Sequence, residues 1–414
     1  MKTYLVGGAV RDRLLNYPVS ERDWVVVGAT ADQMLAHGYR PVGKDFPVFL
    51  HPQTSEEYAL ARTERKTAPG YTGFAIHADA DVTLEQDLLR RDLTINAIAE
   101  DHSGKLYDPY GGQQDLEARL LRHVSEAFIE DPVRILRVAR FAARYAHMGF
   151  KVADETMALM SEMTARGEVD ALVAERVWAE LVKALAERTP QQFFIVLREC
   201  NALQRLFPEL DALFGVPQPA KYHPEIDTGV HTLMTLKQAA RLSDNTKVRF
   251  AALMHDIGKA LTPVEILPGH RGHEEAGARL FEDVARRLRI PDQYKRLTSQ
   301  VIRYHTHCHR AFELTVSTLV DTLYALNALR SDSDNLELFL LACMADARGR
   351  IGFENRDYQQ VDLFQTAQQA ALNVDVQPLI KQGLTGKKIG EALRIKRIQA
   401  VKQAISQLKA AHAA

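Results

Sequence analysis

The sequence predicts an α+β chain: an N-terminal head built on a mixed sheet, then an all-helical neck, body and tail. Two features carry that prediction. Ten of the 23 glycines fall within the first 112 residues, among short β-rich runs such as Tyr4-Leu5-Val6, Trp24-Val25-Val26-Val27 and Phe46-Pro47-Val48-Phe49-Leu50, and only two fall between 121 and 210. Beyond the head, apolar residues recur at helical spacing, as in PVRILRVARFAARYA and RVWAELVKALAE. The expected divisions are head 1–125, neck 126–207, body 208–330 and tail 331–414. Pro208, Pro217, Pro219 and Pro224 mark the break before the body, in a stretch that reads as a linker or an ordered loop. The closing IGEALRIKRIQAVKQAISQLKAA reads as a basic amphipathic pair of helices with a solvated face.

In the head, Tyr4-Leu5-Val6 reads as a strand, Gly7-Gly8 as a tight turn and Ala9 to Leu15 as a helix. Backbone N–H groups at such a turn can hold phosphate, and Arg11 in the first helical turn could reach the same anion. Glu21 and Asp23 then stand at the start of WVVVGA, where residues i and i+2 of a strand share a face. Two converging carboxylates are unfavourable without a cation between them, and their hard oxygens suit Mg²⁺ carrying a nucleoside triphosphate.

Next come Arg90-Arg91-Asp92-Leu93-Thr94-Ile95-Asn96, where charges open an apolar segment, and Glu130-Asp131-Pro132-Val133-Arg134, with Asp131 placed as N-cap and Pro132 as first helical residue. Along that helix Arg134, Arg137, Arg140 and Arg144 fall within about a third of the circumference, opposite most apolar positions. A stripe that uses arginine and no lysine favours planar recognition of phosphates or base edges.

Lys+Arg 52 against Asp+Glu 53 gives a formal charge of −1, so a nucleic-acid partner must be held by a local basic surface. No stretch approaches a membrane span, and MKTYLVGGAVRDRLL meets charge too early for a signal peptide, so the expected location is cytoplasmic. Cys200, Cys308 and Cys343 lack CxxC spacing and read as core or incidental thiols.

LVGGAVRD, the paired carboxylates before WVVVG, RRDLTINA and EDPVRILRVARF, in this order across residues 1 to 145, resemble the bacterial-type CCA-adding enzymes, which are tRNA nucleotidyltransferases of the polymerase-β-like superfamily. The resemblance implies template-independent addition of C, C and A to the 3′ end of tRNA from CTP and ATP. It implies Gly8 and Arg11 at the triphosphate, Glu21 and Asp23 on Mg²⁺, and Arg91, Arg137 and Arg140 on the nucleotide. Asp131 and Arg134 would read the incoming base, and Asp92 would contact the ribose or support that reading. The family usually has Asp where Glu21 stands, one methylene shorter. Glu57 is a candidate third carboxylate.

In the helical region His231 is followed by His255-Asp256 after the apolar run FAALM, and by His270, His273, His305 and Asp346. This order resembles the HD superfamily of metal-dependent phosphohydrolases and extends the likeness to the multifunctional gammaproteobacterial form. It implies 2′,3′-cyclic phosphodiesterase, 2′-nucleotidase and phosphatase activity with Ni²⁺ or another transition metal. His231, His255, Asp256 and Asp346 are the expected ligands, His273 and His305 would assist at the phosphate, and His307 and His309 are expected on the surface. The competing readings are a poly(A) polymerase of the same superfamily and an inactive RNA- or nucleotide-binding protein. The expected partners are tRNA, CTP and ATP, without a membrane, in a monomer or weak homodimer.

Overall fold

The computed structural model describes residues 1–19, 21–42, 48–66, 74–330 and 332–413. It divides into two units, Met1–Leu206 and Phe207–Ala414. The head strands of the first unit are β1 (Lys2–Val6), β2 (Asp23–Val27), β3 (Arg40–Val42), β4 (Val48–Leu50), β5 (Glu57–Leu60), β6 (Thr63–Lys66), β7 (Phe74–His77), β8 (Ala99–Glu100) and β9 (Leu106–Tyr107). Seven of them form one mixed sheet in the order β3-β4-β5-β2-β1-β8-β9, while β6 and β7 pair separately. Within it β2 runs antiparallel to β1 and parallel to β5, which sets Val6 opposite Asp23 and Asp23 opposite Glu57.

Alternation along the strands covers both faces. Val25 packs with Tyr4, Val6, Leu84 and Leu88, whereas Val26 packs with Met34, Phe49, Tyr58 and Leu60. The expected β-run at 46–50 is described only from Val48, where β4 begins; Phe46 and Pro47 lie outside the described residues.

Helix α1 (Gly8–Leu14) starts one residue earlier than expected, directly after Gly7, whose φ of +66° suits glycine. Helix α2 (Val133–Tyr145) buries Ile135, Leu136, Val138, Ala139 and Ala142 against α3 (Ala174–Ala186) and α4 (Gln191–Glu199). The opposite side of α2 carries the arginines.

The second unit contains α5 (Thr228–Leu242), α6 (Thr246–Met254), α7 (His273–Arg287), α8 (Asp292–His309), α9 (Asn335–Arg348), α10 (Gln360–Leu372) and α11 (Gly386–Ala413). Its core joins Val248, Ala251, Val301, Leu319, Phe339, Phe364 and Val401. The proline-rich stretch before α5 is an ordered loop closed by a bridge between Pro217 and Asp227. The tail differs from the expected helix pair: α11 is one helix of 28 residues, with Arg394 bound to Asp321 and Arg397 to the Tyr324 hydroxyl. Nothing in its sequence breaks it, since Gly390, its only glycine after the start, is a modest penalty within a long run. Cys200, Cys308 and Cys343 are buried and free. Among the described residues no helix is long and apolar enough to cross a membrane.

Candidate functional site

In the first unit, the ends of the central strands β1 and β2 and the arginine side of α2 line an open cavity of about 850 Å³. Gly8, Arg11, Glu21, Asp23, Arg91, Asp92, Asp131, Arg134, Arg137 and Arg140 all line it. These ten residues are separated by up to 132 positions in sequence, so the fold has converged four distant segments on one space. Strand β2 begins at Asp23, so Glu21 lies in the approach to the strand and not on it, yet both carboxylates face the same cavity. Burial raises the Asp23 pKa, Arg91 opposes that rise and the neighbouring Glu21 adds to it. A carboxylate pair short of positive charge is the donor set that a hard divalent cation fits. Glu57 lines an adjoining cavity of about 520 Å³ together with Glu21 and Asp23.

The arginines are held in place before any ligand is considered. Arg11 donates to Asp12 at 2.8 Å and to the Asn96 side-chain oxygen, and its guanidinium lies 5.1 Å from the Phe141 and Tyr145 ring centres. Arg91 pairs with Asp87 at 3.1 Å and crosses over Gly7, where a Cβ would stand 3.0 Å from its guanidinium. Arg137 binds Asp92 at 2.7 Å, and Arg140 binds Glu180 at 2.7 Å. Burial alone would raise the Asp92 pKa, but Arg137 and Asn96 outweigh it and hold the carboxyl well below its usual range.

Asp131 and Arg134 do not meet through their side chains as a simple facing pair. Arg134 spends its guanidinium on the carbonyls of Ala127 and Arg90, at 2.8 and 2.7 Å, and only its backbone N–H reaches the Asp131 carbonyl. The Asp131 carboxylate is gripped by both ends of Arg176, at 3.0 and 2.7 Å, and also accepts from the Val133 N–H. The helix begins one residue later than expected, at Val133 with Pro132 in the capping position, and Asp131 lies before it, accepting from the Val133 N–H.

In the second unit, His231, His255, Asp256, His273, His305 and Asp346 come together in the interior, all nearly or fully buried. His231 projects from α5, His273 opens α7, His305 lies on α8 and Asp346 on α9. The His255-Asp256 pair lies at the end of α6 and not within it. The chain turns there because Gly258 packs so closely on the start of α7 that a Cβ would stand inside van der Waals contact of the His273 carbonyl and 2.5 Å from the Gly277 nitrogen. That contact carries Asp256 to His273.

The Nδ1 atoms face backbone acceptors: His255 the Ala252 carbonyl at 2.8 Å, His273 the His270 carbonyl at 2.7 Å, His305 the Val301 carbonyl at 3.0 Å and His231 the Gly349 carbonyl at 3.1 Å. A proton on each Nδ1 leaves the Nε2 lone pairs to point inward. They approach two carboxylates. His231 and His255 lie 3.0 and 3.6 Å from Asp346, while His273 and His305 lie 3.3 and 3.5 Å from Asp256. The His273 and His305 Nε2 atoms are 3.3 Å apart, which is repulsive between two lone pairs without a cation or proton. Buried His255 Nε2 and Asp256 Oδ1 make no hydrogen bond. This orphaned donor set of imidazole nitrogens and carboxylate oxygens fits a transition-metal ion. Within this set two groups are close enough to hold one each, His231-His255-Asp346 and Asp256-His273-His305, and a third, His223-Glu225-His231, adjoins the first.

Burial raises the pKa of both carboxylates, but His255 and Lys259 hold Asp256 well below normal, and His309, His255 and His231 do the same for Asp346.

Comparison with known proteins gives domain matches over both units and a family for the chain. Residues 3–122 match the poly A polymerase head domain, 149–214 the probable RNA and SrmB-binding site of polymerase A, and 228–342 the HD domain. The chain is 64% identical over 97% of its length to the multifunctional CCA protein of Methylococcus capsulatus, covering 95% of that protein. It belongs to the multifunctional CCA protein family. A second member, from Teredinibacter turnerae, is 61% identical over 97% of this chain and 98% of its own length. The fold is that of the CCA-adding enzymes. The Thermotoga maritima CCA-adding enzyme complexed with tRNA aligns with a TM-score of 0.62 at 19% identity, covering 98% of this chain and 91% of its own. A CCA-adding enzyme in an apo form aligns with a TM-score of 0.66 at 20% identity, over 99% and 92%.

Several residues of this multifunctional CCA family member escaped sequence reasoning. Arg176 and Glu180 stand one turn apart on α3 and hold Asp131 and Arg140. Their i, i+4 spacing was visible, but it reads as an ordinary surface pair. Arg144, the last of the stripe, binds Asp12 at 3.0 Å. His309 is not on the surface: it donates to Asp346 at 2.5 Å and meets the Tyr358 hydroxyl at 2.7 Å. Its place one turn after His305 was the available signal. His307 is half-buried and meets the Thr322 hydroxyl at 3.0 Å.

Proposed function

We propose that the chain adds C, C and A to the 3′ end of tRNA from CTP and ATP, releasing pyrophosphate, and that its HD unit hydrolyses 2′,3′-cyclic phosphates, 2′-nucleotides and phosphate monoesters. The observation that carries the first activity is the single cavity shared by Glu21, Asp23 and the arginine stripe of α2. The tRNA 3′-hydroxyl attacks the α-phosphorus, a new P–O bond forms and the bond to pyrophosphate breaks. Glu21 and Asp23 would hold Mg²⁺, which supplies charge for the attacking and leaving oxygens. Arg11 and Gly8 receive the triphosphate, and Arg91, Arg137 and Arg140 orient the nucleotide; Asp92 keeps Arg137 in place. C and A each present an exocyclic amine beside a ring-nitrogen acceptor. Asp131 would accept from the amine and Arg134, three residues on, would donate to the ring nitrogen, each exchanging part of its bonding to Arg176 or to the Ala127 and Arg90 carbonyls; U and G present the opposite polarity and return neither bond.

In the HD unit, His231, His255, Asp256 and Asp346 would hold Ni²⁺ or a related ion, which activates water. His273 and His305 orient the phosphate. CCA-adding enzymes of like fold with tRNA, CTP or ATP bound support the same substrates here, and we take the chain to work on them in the cytoplasm as a monomer or weak homodimer. The test is to incubate the purified chain with tRNA lacking its last three nucleotides, giving CTP and ATP separately and together. Restored CCA ends are expected; long A tails without C would make it a poly(A) polymerase, and no incorporation would leave a binding protein. A parallel reaction with tRNA ending in a cyclic phosphate tests the HD unit.

A further inference from the structure

We propose that Glu225 is a positioning residue for His231 and, through that imidazole, sets the metal affinity of the histidine and aspartate cluster. The inference rests on the metal-dependent reading of the HD unit given above. Three of the four inward-pointing histidines fix their Nδ1 proton on a carbonyl three or four residues back in their own chain. Such bonds come with the local helical turn. His231 lacks that local acceptor, and its Nδ1 meets two groups brought from elsewhere, the Gly349 carbonyl at 3.1 Å and Glu225 Oε1 at 2.9 Å.

Glu225 is an unusual group to find there. Its side chain is 0% exposed, and no Lys or Arg lies within ion-pair distance of it among the described residues. Oε1 also receives His223 Nδ1 at 3.1 Å, and buried Oε2 makes no hydrogen bond. An enclosed carboxylate held by two imidazoles, with Lys259 and Arg350 acting on His223 as the further cations, is stabilised by additional positive charge close behind the rings. That charge is supplied when the nitrogen on the far side of the His231 ring, 3.0 Å from Asp346, binds a cation. The loop that carries Glu225 is built to hold it. Pro217 bridges Asp227, whose carboxylate accepts from the Gly215 and Val230 N–H groups at 2.6 and 2.8 Å. A carboxylate on Nδ1–H fixes the tautomer, limits ring rotation and makes Nε2 a stronger donor.

The probe is Co²⁺, added to the chelator-stripped full chain and followed by its visible absorption. Glu225→Ala is expected to weaken Co²⁺ binding by about 10- to 100-fold and to alter the band shape, because the ring is free to turn. Glu225→Gln keeps an oxygen acceptor without the charge and should fall between Ala and wild type. Melting of the metal-free proteins reports folding; if the Ala variant melts early, the Gln variant decides. Wild-type affinity and spectrum in a folded Glu225 variant would overturn the positioning role while leaving the metal site standing. If wild type takes up no Co²⁺, or His255→Ala takes it up as wild type does, the metal site itself fails and the positioning role with it.

Discussion

The two sites of this chain solve the problem of concentrating charge in opposite ways. In the first unit, long arginines reach into an open cavity and each is tethered by a carboxylate or a carbonyl: Arg137 by Asp92, Arg140 by Glu180, Arg134 by Ala127 and Arg90. In the second, short imidazoles are packed in the interior and each is tethered at the nitrogen it does not use. The first arrangement suits a large, polyanionic, exchangeable ligand, because guanidinium forks can hand their partners over to phosphate and base edges. The second suits a small cation held for many turnovers, because the rings cannot rearrange without breaking backbone contacts.

The sharpest way to break this comparison is to remove one centre and read both activities. Asp23→Ala should lower nucleotide incorporation by about a thousandfold or more, the loss of several kcal/mol of transition-state charge stabilisation, while phosphodiesterase activity persists. His255→Ala, or stripping transition metals with a chelator and then restoring Mg²⁺ alone, should do the reverse. Loss of both activities from either substitution would mean that the centres are not separable.

A smaller effect is expected at base choice. Asp131→Ala removes the carboxylate held by Arg176 and should reduce discrimination of C and A against U and G by roughly 10- to 100-fold, one to a few kcal/mol of lost or unpaired hydrogen bonding. Competing UTP and GTP incorporation measures it, and unchanged fidelity would remove Asp131 from base reading. Next in size is packing. Gly258→Ala pushes a methyl into the His273 carbonyl and should cost about 1–3 kcal/mol in denaturant unfolding, with weaker metal uptake because Asp256 and His273 move apart. Equal stability would show that the close approach is slack.

The smallest effect is a pH dependence. The Asp92 carboxyl titrates below its unfolded value, so its pairing stabilises the folded state above about pH 3.9 and that contribution fades as pH falls further. Asp92→Asn should therefore melt below wild type at neutral pH, and the gap should narrow as pH falls below about 4 and close only as pH passes through the depressed folded value. A gap that stays constant would assign the loss to geometry and not to charge.

Particular residues show how far the sequence could be read. Glu21, Asp23 and the arginines at i, i+3, i+6 and i+10 announced the first site, because like charges in short spacing need a shared reason. Glu225 announced nothing: it sits in HPEID, among prolines and without a period, and its role exists only where the loop folds over α5. His309 was placed outside although it stands four residues after His305, because a helix face is judged by its apolar members and this one packs a polar centre. The expected break in the tail failed for the opposite reason, since Gly390, the one glycine inside α11 after its start, permits a turn without requiring one.

What the sequence alone determined is the chemistry available: two acidic oxygens after a glycine turn, an arginine stripe, and an HD pair among histidines. Strand and helix periods also decided which faces are buried, because they depend on local geometry alone. The tertiary structure decided which groups meet. It gave Asp131 to Arg176, turned the chain at Gly258 to bring Asp256 beside His273, and set a buried carboxylate behind His231. Two of those pairings join separate elements and the third folds a short loop back onto its own helix, and their energies come from burial and close contact, quantities that no local period contains.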